Sequence, residues 1–235
     1  MASRLRLIPP WLAGCAGLGL LTLLVFLHDA VRPPAQAWAP LLEWRAERVW
    51  SEPWRLLTAA FVHHGFQHLA ANLAGCAVVA LFGWAGRLPG RFTLAAALAW
   101  PLTHALLLGA PGLARYGGLS GLLHAMVAVA AVALMLPQGG RRQRAVGAAV
   151  WAGLLLKVLL EEPWAGAVQT VPGWDIPIAV AAHAAGLVSG TLVGLLMAAL
   201  IATRATGSTR DAARHRSDNG AAQRPRPPLT QEPPP

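Results

Sequence analysis

The chain has 235 residues, 55% of them apolar and only 12% charged, with a formal net charge of +9. A soluble domain of this size would be about a quarter charged, so the composition excludes an ordinary soluble globular protein and points to a membrane protein. Two cysteines, Cys15 and Cys76, fall in apolar stretches and read as small hydrophobes, not as a disulfide pair or a metal site.

Six apolar stretches approach the ~20 residues that a bilayer crossing needs. They are predicted as helices at roughly 10–28, 57–83, 92–110, 118–136, 145–160 and 177–202. The first has Arg4 and Arg6 before it, as a signal peptide would, but no clear small-x-small cleavage site follows, so it reads as a retained helix. The connection after it, about 29–55, carries Trp38, Trp44, Trp50 and Trp54, which suit a structure lying at the membrane surface. The second stretch is interrupted by His63, His64, His68 and Asn72, and the third contains Pro101 and His104. The segment after about 205 turns polar and ends RPRPPLTQEPPP, which cannot bury a core and reads as a disordered tail. The expected architecture is an all-α polytopic bundle of six transmembrane helices in residues 1–204, followed by a Pro-rich tail at 205–235.

Charge placement predicts the topology. With the N-terminus inside, thirteen of the nineteen Lys and Arg residues fall on the same side, which favours both termini in the cytoplasm. The positive charge is therefore a topology signal, and nucleic acid is not an expected partner.

Polar residues inside these stretches are costly and point to function. Ser120 lies in GLSG at 118–121, near the start of the fourth stretch, where unpaired backbone N–H groups can hold a negative oxygen. Gly118 and Gly121 beside it permit a turn and close backbone approach, and packing alone would also explain them. His183 stands in AHAAG beside a stripe of Ala182, Gly186, Gly190 and Gly194, a smooth face on which another helix can pack closely. A serine with a histidine base is a minimal set for nucleophilic catalysis, while a histidine bonded to a carbonyl across helices is the competing reading. His68 and Asn72 are four residues apart on one helix face, and both can donate hydrogen bonds to a developing oxyanion. His63, His64, His68 and His104 could instead offer imidazoles to a metal or haem, but no carboxylate, thiolate or HExxH spacing accompanies them. Lys157 and Glu161, four apart, read as a surface ion pair, and the Gly- and Pro-containing loop at 161–176 as a possible lid. His104 reads as a packing histidine.

Together these motifs resemble the rhomboid family of intramembrane serine proteases, over roughly residues 45–200. Trp54-Arg55 precedes the second stretch; HxxxxHxxxN matches His63, His68 and Asn72; GxSG matches Gly118, Ser120 and Gly121; AHxxGxxxG matches Ala182, His183, Gly186 and Gly190. The resemblance implies Ser120 as nucleophile, His183 as general base without a third acid, and His68, Asn72 and the Ser120 backbone N–H as the oxyanion hole. It implies no cofactor and no metal. Many rhomboids carry a tyrosine four residues after the serine, stacked under the histidine; here that residue is His124. The string RYGGLSGLLHA resembles the rhombosortase branch, which implies a bacterial inner-membrane enzyme cutting GlyGly-type C-terminal sorting segments of secreted proteins near the periplasmic face. The partners implied are the lipid bilayer and a membrane-anchored protein substrate. A rhomboid-like protein that escorts membrane clients without cutting them is the alternative.

Overall fold

The computed structural model describes the backbone of residues 8–222 and the side chains of residues 8–204. Pro10, whose missing N–H costs nothing at the first helical position, opens α1 (Pro10–Val31). Trp11, Cys15, Leu18, Thr22 and Val25 are buried at three- and four-residue intervals and form its inward stripe, while Leu20, Leu24 and Leu27 face outward. That stripe packs on α4 (Phe66–Ala85). Trp11 donates its indole N–H to the Val79 carbonyl at 2.9 Å. It lies so close to Gly83 that a Cβ there would meet the indole.

The connection between α1 and α4 is held by side-chain caps. The Asp29 carboxylate accepts from the Trp38 and Ala39 backbone N–H groups at 2.7 and 2.9 Å, fixing the start of α2 (Ala39–Leu42). The strand β1 (Trp44–Arg45) pairs antiparallel with β2 (Arg115–Tyr116). Arg55, fully buried at the start of α3 (Arg55–Thr58), donates to the Glu43 and Pro40 carbonyls and pairs with Glu52. The motif Trp54-Arg55 thus fastens this connection together.

The second membrane helix begins at Phe66, later than the expected 57. Hydropathy counts Ala59–Val62 as apolar, but these residues form a 3₁₀ turn and then an extended segment. Val62 is pressed against Gly117, and the Ala59 carbonyl accepts from Gly118 N–H at 2.9 Å. The remaining helices are α5 (Gly90–Leu106), α6 (Ser120–Met135), α7 (Arg141–Leu160) and α8 (Val180–Ala222). His104 in α5 is fully buried and donates Nδ1–H to the Leu56 carbonyl at 2.6 Å, a packing role as expected.

Among the described residues, five helices are long and apolar enough to cross a bilayer, and α6 is the shorter sixth. The protein is a multi-pass, all-α membrane bundle. Its sixteen-residue α6 rises roughly 24 Å, short of the about 30 Å hydrocarbon core. Arg141, Arg142 and Arg144 follow its C-terminal end closely, and charges of that kind stay out of the hydrocarbon.

The chain forms two compact units. The first, ending at Ala198, holds α1 to α7, the two strands and the first part of α8. In the second, from Ala199, helix continues to Ala222. This runs past the expected end at 202 because hydropathy registers only apolar residues, while residues 203–222 contain no proline to stop a helix. The Pro-rich end of the expected tail, 223–235, lies outside the described residues.

Candidate active site

The small-residue stripe brings α8 onto α6. A Cβ on Gly190 would stand 2.3 Å from the Ala125 carbonyl oxygen, and one on Gly121 would stand 3.0 Å from the Ala182 carbonyl oxygen. Side chains are excluded at these points, so the two backbones touch. That contact sets His183, on the first turn of α8, opposite Ser120, the first residue of α6.

Ser120 is presented by a tight turn. Gly118 has φ +146°, a conformation that favours glycine, and a Cβ there would also strike the His68 ring at 2.8 Å. Tyr116 fastens the turn from below: its hydroxyl donates to the Gly118 carbonyl at 2.7 Å and accepts from Gly121 N–H at 3.3 Å. Burial pushes the Tyr116 phenol up, so it stays protonated and donating. Tyr116 is the chain's only tyrosine, and its position just before GGLSG was the available signal for this role.

His183 Nε2 lies 3.2 Å from Ser120 Oγ. Its other ring nitrogen, Nδ1, lies 2.8 Å from Glu161 Oε2 at the C-terminal end of α7. The carboxylate accepts the Nδ1 proton, which fixes the tautomer and turns the Nε2 lone pair to the serine hydroxyl. Lys157 Nζ lies 2.6 Å from Glu161 Oε1 and 3.2 Å from His183 Nδ1. The Lys157–Glu161 pair expected at the surface is therefore present, but its carboxylate also holds the histidine. Packing alone does not orient His183, contrary to the expectation of a dyad with no acid at hand. Burial by itself would raise the Glu161 carboxyl, but the His183 hydrogen bond and the Lys157 ammonium outweigh it and hold it at about 2.

His124, one turn after Ser120, lies flat on His183, with ring centroids 4.2 Å apart and planes 10° from parallel. Its Nδ1 donates to the Ser120 carbonyl at 2.7 Å, which locks the ring in that pose. The imidazole thus fills the stacking place expected of tyrosine. Ligand atoms of His124, Glu161 and His183 lie within 4.8 Å of one another. The lone pairs of two stacked, parallel imidazoles do not converge on one ion, and the Lys157 ammonium stands beside them, so the donor set does not fit a metal.

Asn72 and His68, on α4, line the same cavity as Ser120. Asn72 is buried, and its Nδ2 donates one hydrogen bond to the His68 carbonyl at 3.0 Å, leaving its second N–H uncommitted. The His63 and His68 rings lie 4.5 Å apart. Burial and the neighbouring His68 push His63 down to about 3, so it stays neutral. His64 is the more exposed neighbour, 3.5 Å from the Glu43 carboxylate.

Ser120, His68, Asn72, His124 and His183 line a cavity of about 790 Å³, together with His64, Lys157 and Glu161. Val78 and Val79 of α4, Leu123 and Val127 of α6, and Leu154 of α7 help make its lining largely apolar. Trp174 and Ile176, from the loop between α7 and α8, also face the cavity. That loop is tied to the start of α4, because Asp175 Oδ2 accepts from Gln67 N–H at 2.8 Å.

The sequence model of the Rhomboid domain matches residues 51–200. The chain belongs to the rhomboid family. Rhomboids are intramembrane serine proteases, and the matched region holds the six membrane helices except α1 and the last part of α8. A search of curated proteins found no match. In this rhomboid, Ser120, His183, His68, Asn72 and His124 line one cavity, while His63 lies against the His68 ring, Gly118 and Gly121 flank Ser120 in the chain and Gly186 packs on Gly121. Glu161 and Tyr116 are the additions the motifs did not disclose.

Proposed function

We propose that this rhomboid is a serine endopeptidase of the rhombosortase branch. It resides in the bacterial inner membrane with both termini in the cytoplasm. It cuts GlyGly-type C-terminal sorting segments of secreted, membrane-anchored proteins near the periplasmic face. The observation that carries this reading is the 3.2 Å approach of His183 Nε2 to Ser120 Oγ in a largely apolar cavity.

The chemistry follows from the donors and acceptors present. Neutral His183 takes the Ser120 proton at Nε2 as Oγ bonds to the scissile carbonyl carbon. The carbonyl electrons move to oxygen, and Asn72 Nδ2–H, His68 Nε2–H and the Ser120 backbone N–H stabilise that oxyanion. Collapse breaks the C–N bond, and the His183 imidazolium gives its proton to the leaving amine. Water then attacks the Ser120 ester with His183 as base, releasing the carboxylic acid and restoring Ser120.

The branch assignment rests on RYGGLSGLLHA and on His124 in place of tyrosine. The proposed substrate suits the site physically. A carbonyl can be attacked only where the substrate helix opens, and glycine disfavours helix by about 1 kcal/mol relative to alanine. Polar groups around the serine can keep water in a cavity that opens among membrane helices.

The test is cleavage in proteoliposomes of a reporter ending in a Gly-rich, then apolar, then basic segment. The reading expects a single cut at the Gly-rich segment by the native protein and none by Ser120→Ala. A reporter with the same apolar span placed internally, without the glycines, is expected to stay intact. Equal cutting by Ser120→Ala would refute the serine mechanism; equal cutting of both reporters would refute the branch assignment.

A further inference from the structure

Glu161 stands where chain geometry, not chance rotamer placement, holds it. It caps the C-terminal end of α7, and its N–H bonds the Lys157 carbonyl. The next residue, Glu162, has φ +44°, an uncommon conformation for a residue with a side chain. That reversal turns the chain sharply away from α7 immediately after Glu161. Gln169 Nε2 donates to the Glu161 carbonyl at 2.5 Å, clamping the turn from the following loop. The carboxylate has a separate partner for each oxygen, Lys157 at Oε1 and His183 at Oε2. It is only about a quarter exposed, so water screens these contacts incompletely.

We infer that Glu161 is a positioning residue for catalysis, the third member of a Ser120–His183–Glu161 relay, with Lys157 holding it in place. This inference rests on the serine-protease reading above. The carboxylate keeps the Nδ1 proton on His183, so that Nε2 is the free base facing Ser120. When Nε2 takes the serine proton, the imidazolium forms beside a negative charge already in place and needing no rearrangement. The carboxylate gains no proton in this step; the proton moves from Ser120 Oγ to His183 Nε2 and then to the leaving amine. His183 is thereby held on three sides: Glu161 at Nδ1, Ser120 at Nε2 and the His124 ring against its face.

The experiment compares steady-state kinetics of Glu161→Gln, Glu161→Asp, Glu47→Gln and Ser120→Ala in proteoliposomes, with thermal melting of each. Glutamine is near in shape but carries no charge and can present its amide to Nδ1. Loss of the acid in a Ser-His-acid site costs up to about 10⁴-fold in kcat, and Glu161→Gln is expected to lose about 100-fold or more with KM changed less than about threefold. Glu161→Asp keeps the charge and is expected to recover at least tenfold of that loss. Glu47→Gln, exposed and outside the site, is expected to behave as the native protein. The inference is overturned if Glu161→Gln keeps kcat within about threefold, or if Glu161→Asp is no faster than Glu161→Gln. Ser120→Ala separates the two failures. If it is inert while Glu161→Gln is fully active, only the relay falls; if it still cuts, the serine reading falls and the relay with it.

Discussion

A Cβ built on Gly186 would stand 2.1 Å from the carbonyl oxygen of Gly121. No side chain fits there, so the distance between α6 and α8, and with it the Ser120–His183 contact, depends on one hydrogen atom at position 186. Gly186→Ala forces the helices apart, and overpacking of this kind costs about 1–3 kcal/mol. The expected result is a lowered melting temperature in detergent and loss of most cleavage activity. Gly153→Ala in α7, where a Cβ meets nothing within 4 Å, serves as the comparison and is expected to melt no lower than the native protein.

His124 supports His183 with its ring face, and an aromatic contact is worth about 0.5–1.5 kcal/mol. His124→Ala is therefore expected to lower kcat by about 2- to 10-fold, and His124→Phe to retain most of the native rate. A fall to the level of Ser120→Ala in both variants would show that His124 does chemistry through its nitrogens, which the stacking account does not allow.

Asn72 and His68 carry N–H donors in the cavity that Ser120 lines. Removing one oxyanion donor costs about 10²–10³ in kcat. Asn72→Ala and His68→Ala are each expected to fall in that range, with KM little changed because the oxyanion exists only after attack. A change confined to KM would assign these residues to substrate binding instead.

The Glu161 carboxyl is held at about 2, below its ordinary value near 4.5. A lowered folded value means that the group stabilises the fold fully above the unfolded value. That contribution is lost as pH falls through the folded one. The melting-temperature difference between the native protein and Glu161→Gln is thus expected to be constant from pH 8 to about 5, then to shrink towards pH 2. The effect is modest, since the Lys157 side of the pair is nearly half exposed. A difference that grows on acidification would contradict the assigned ion pairing.

Ser120, His183, His68 and Asn72 were legible because each is a polar residue that an apolar helix does not carry without cause, and because glycines mark the contacts that bring them together. The glycine stripe beside His183 expressed a backbone contact directly, since only small residues permit it. Glu161 was not legible as a site residue. Four residues after Lys157 it matches an ordinary helix ion pair, and its route to His183 depends on the chain reversal at Glu162 and the Gln169 clamp. His124 was visible as a departure from tyrosine, but whether an imidazole could stack there depended on Nδ1 reaching the Ser120 carbonyl. The start of α4 was misplaced because apolar content does not distinguish a helix from the turn at Ala59–Phe61, where the Gly117–Gly118 contact decides the conformation.

The central claim is that Ser120 is a nucleophile activated by His183. Its most direct measurement is covalent labelling of the reconstituted protein by a fluorophosphonate probe, read by mass spectrometry. The account predicts one label per chain on Ser120, none in Ser120→Ala and strongly slowed labelling in His183→Ala. Labelling that persists in Ser120→Ala, or proceeds at the native rate in His183→Ala, would contradict it.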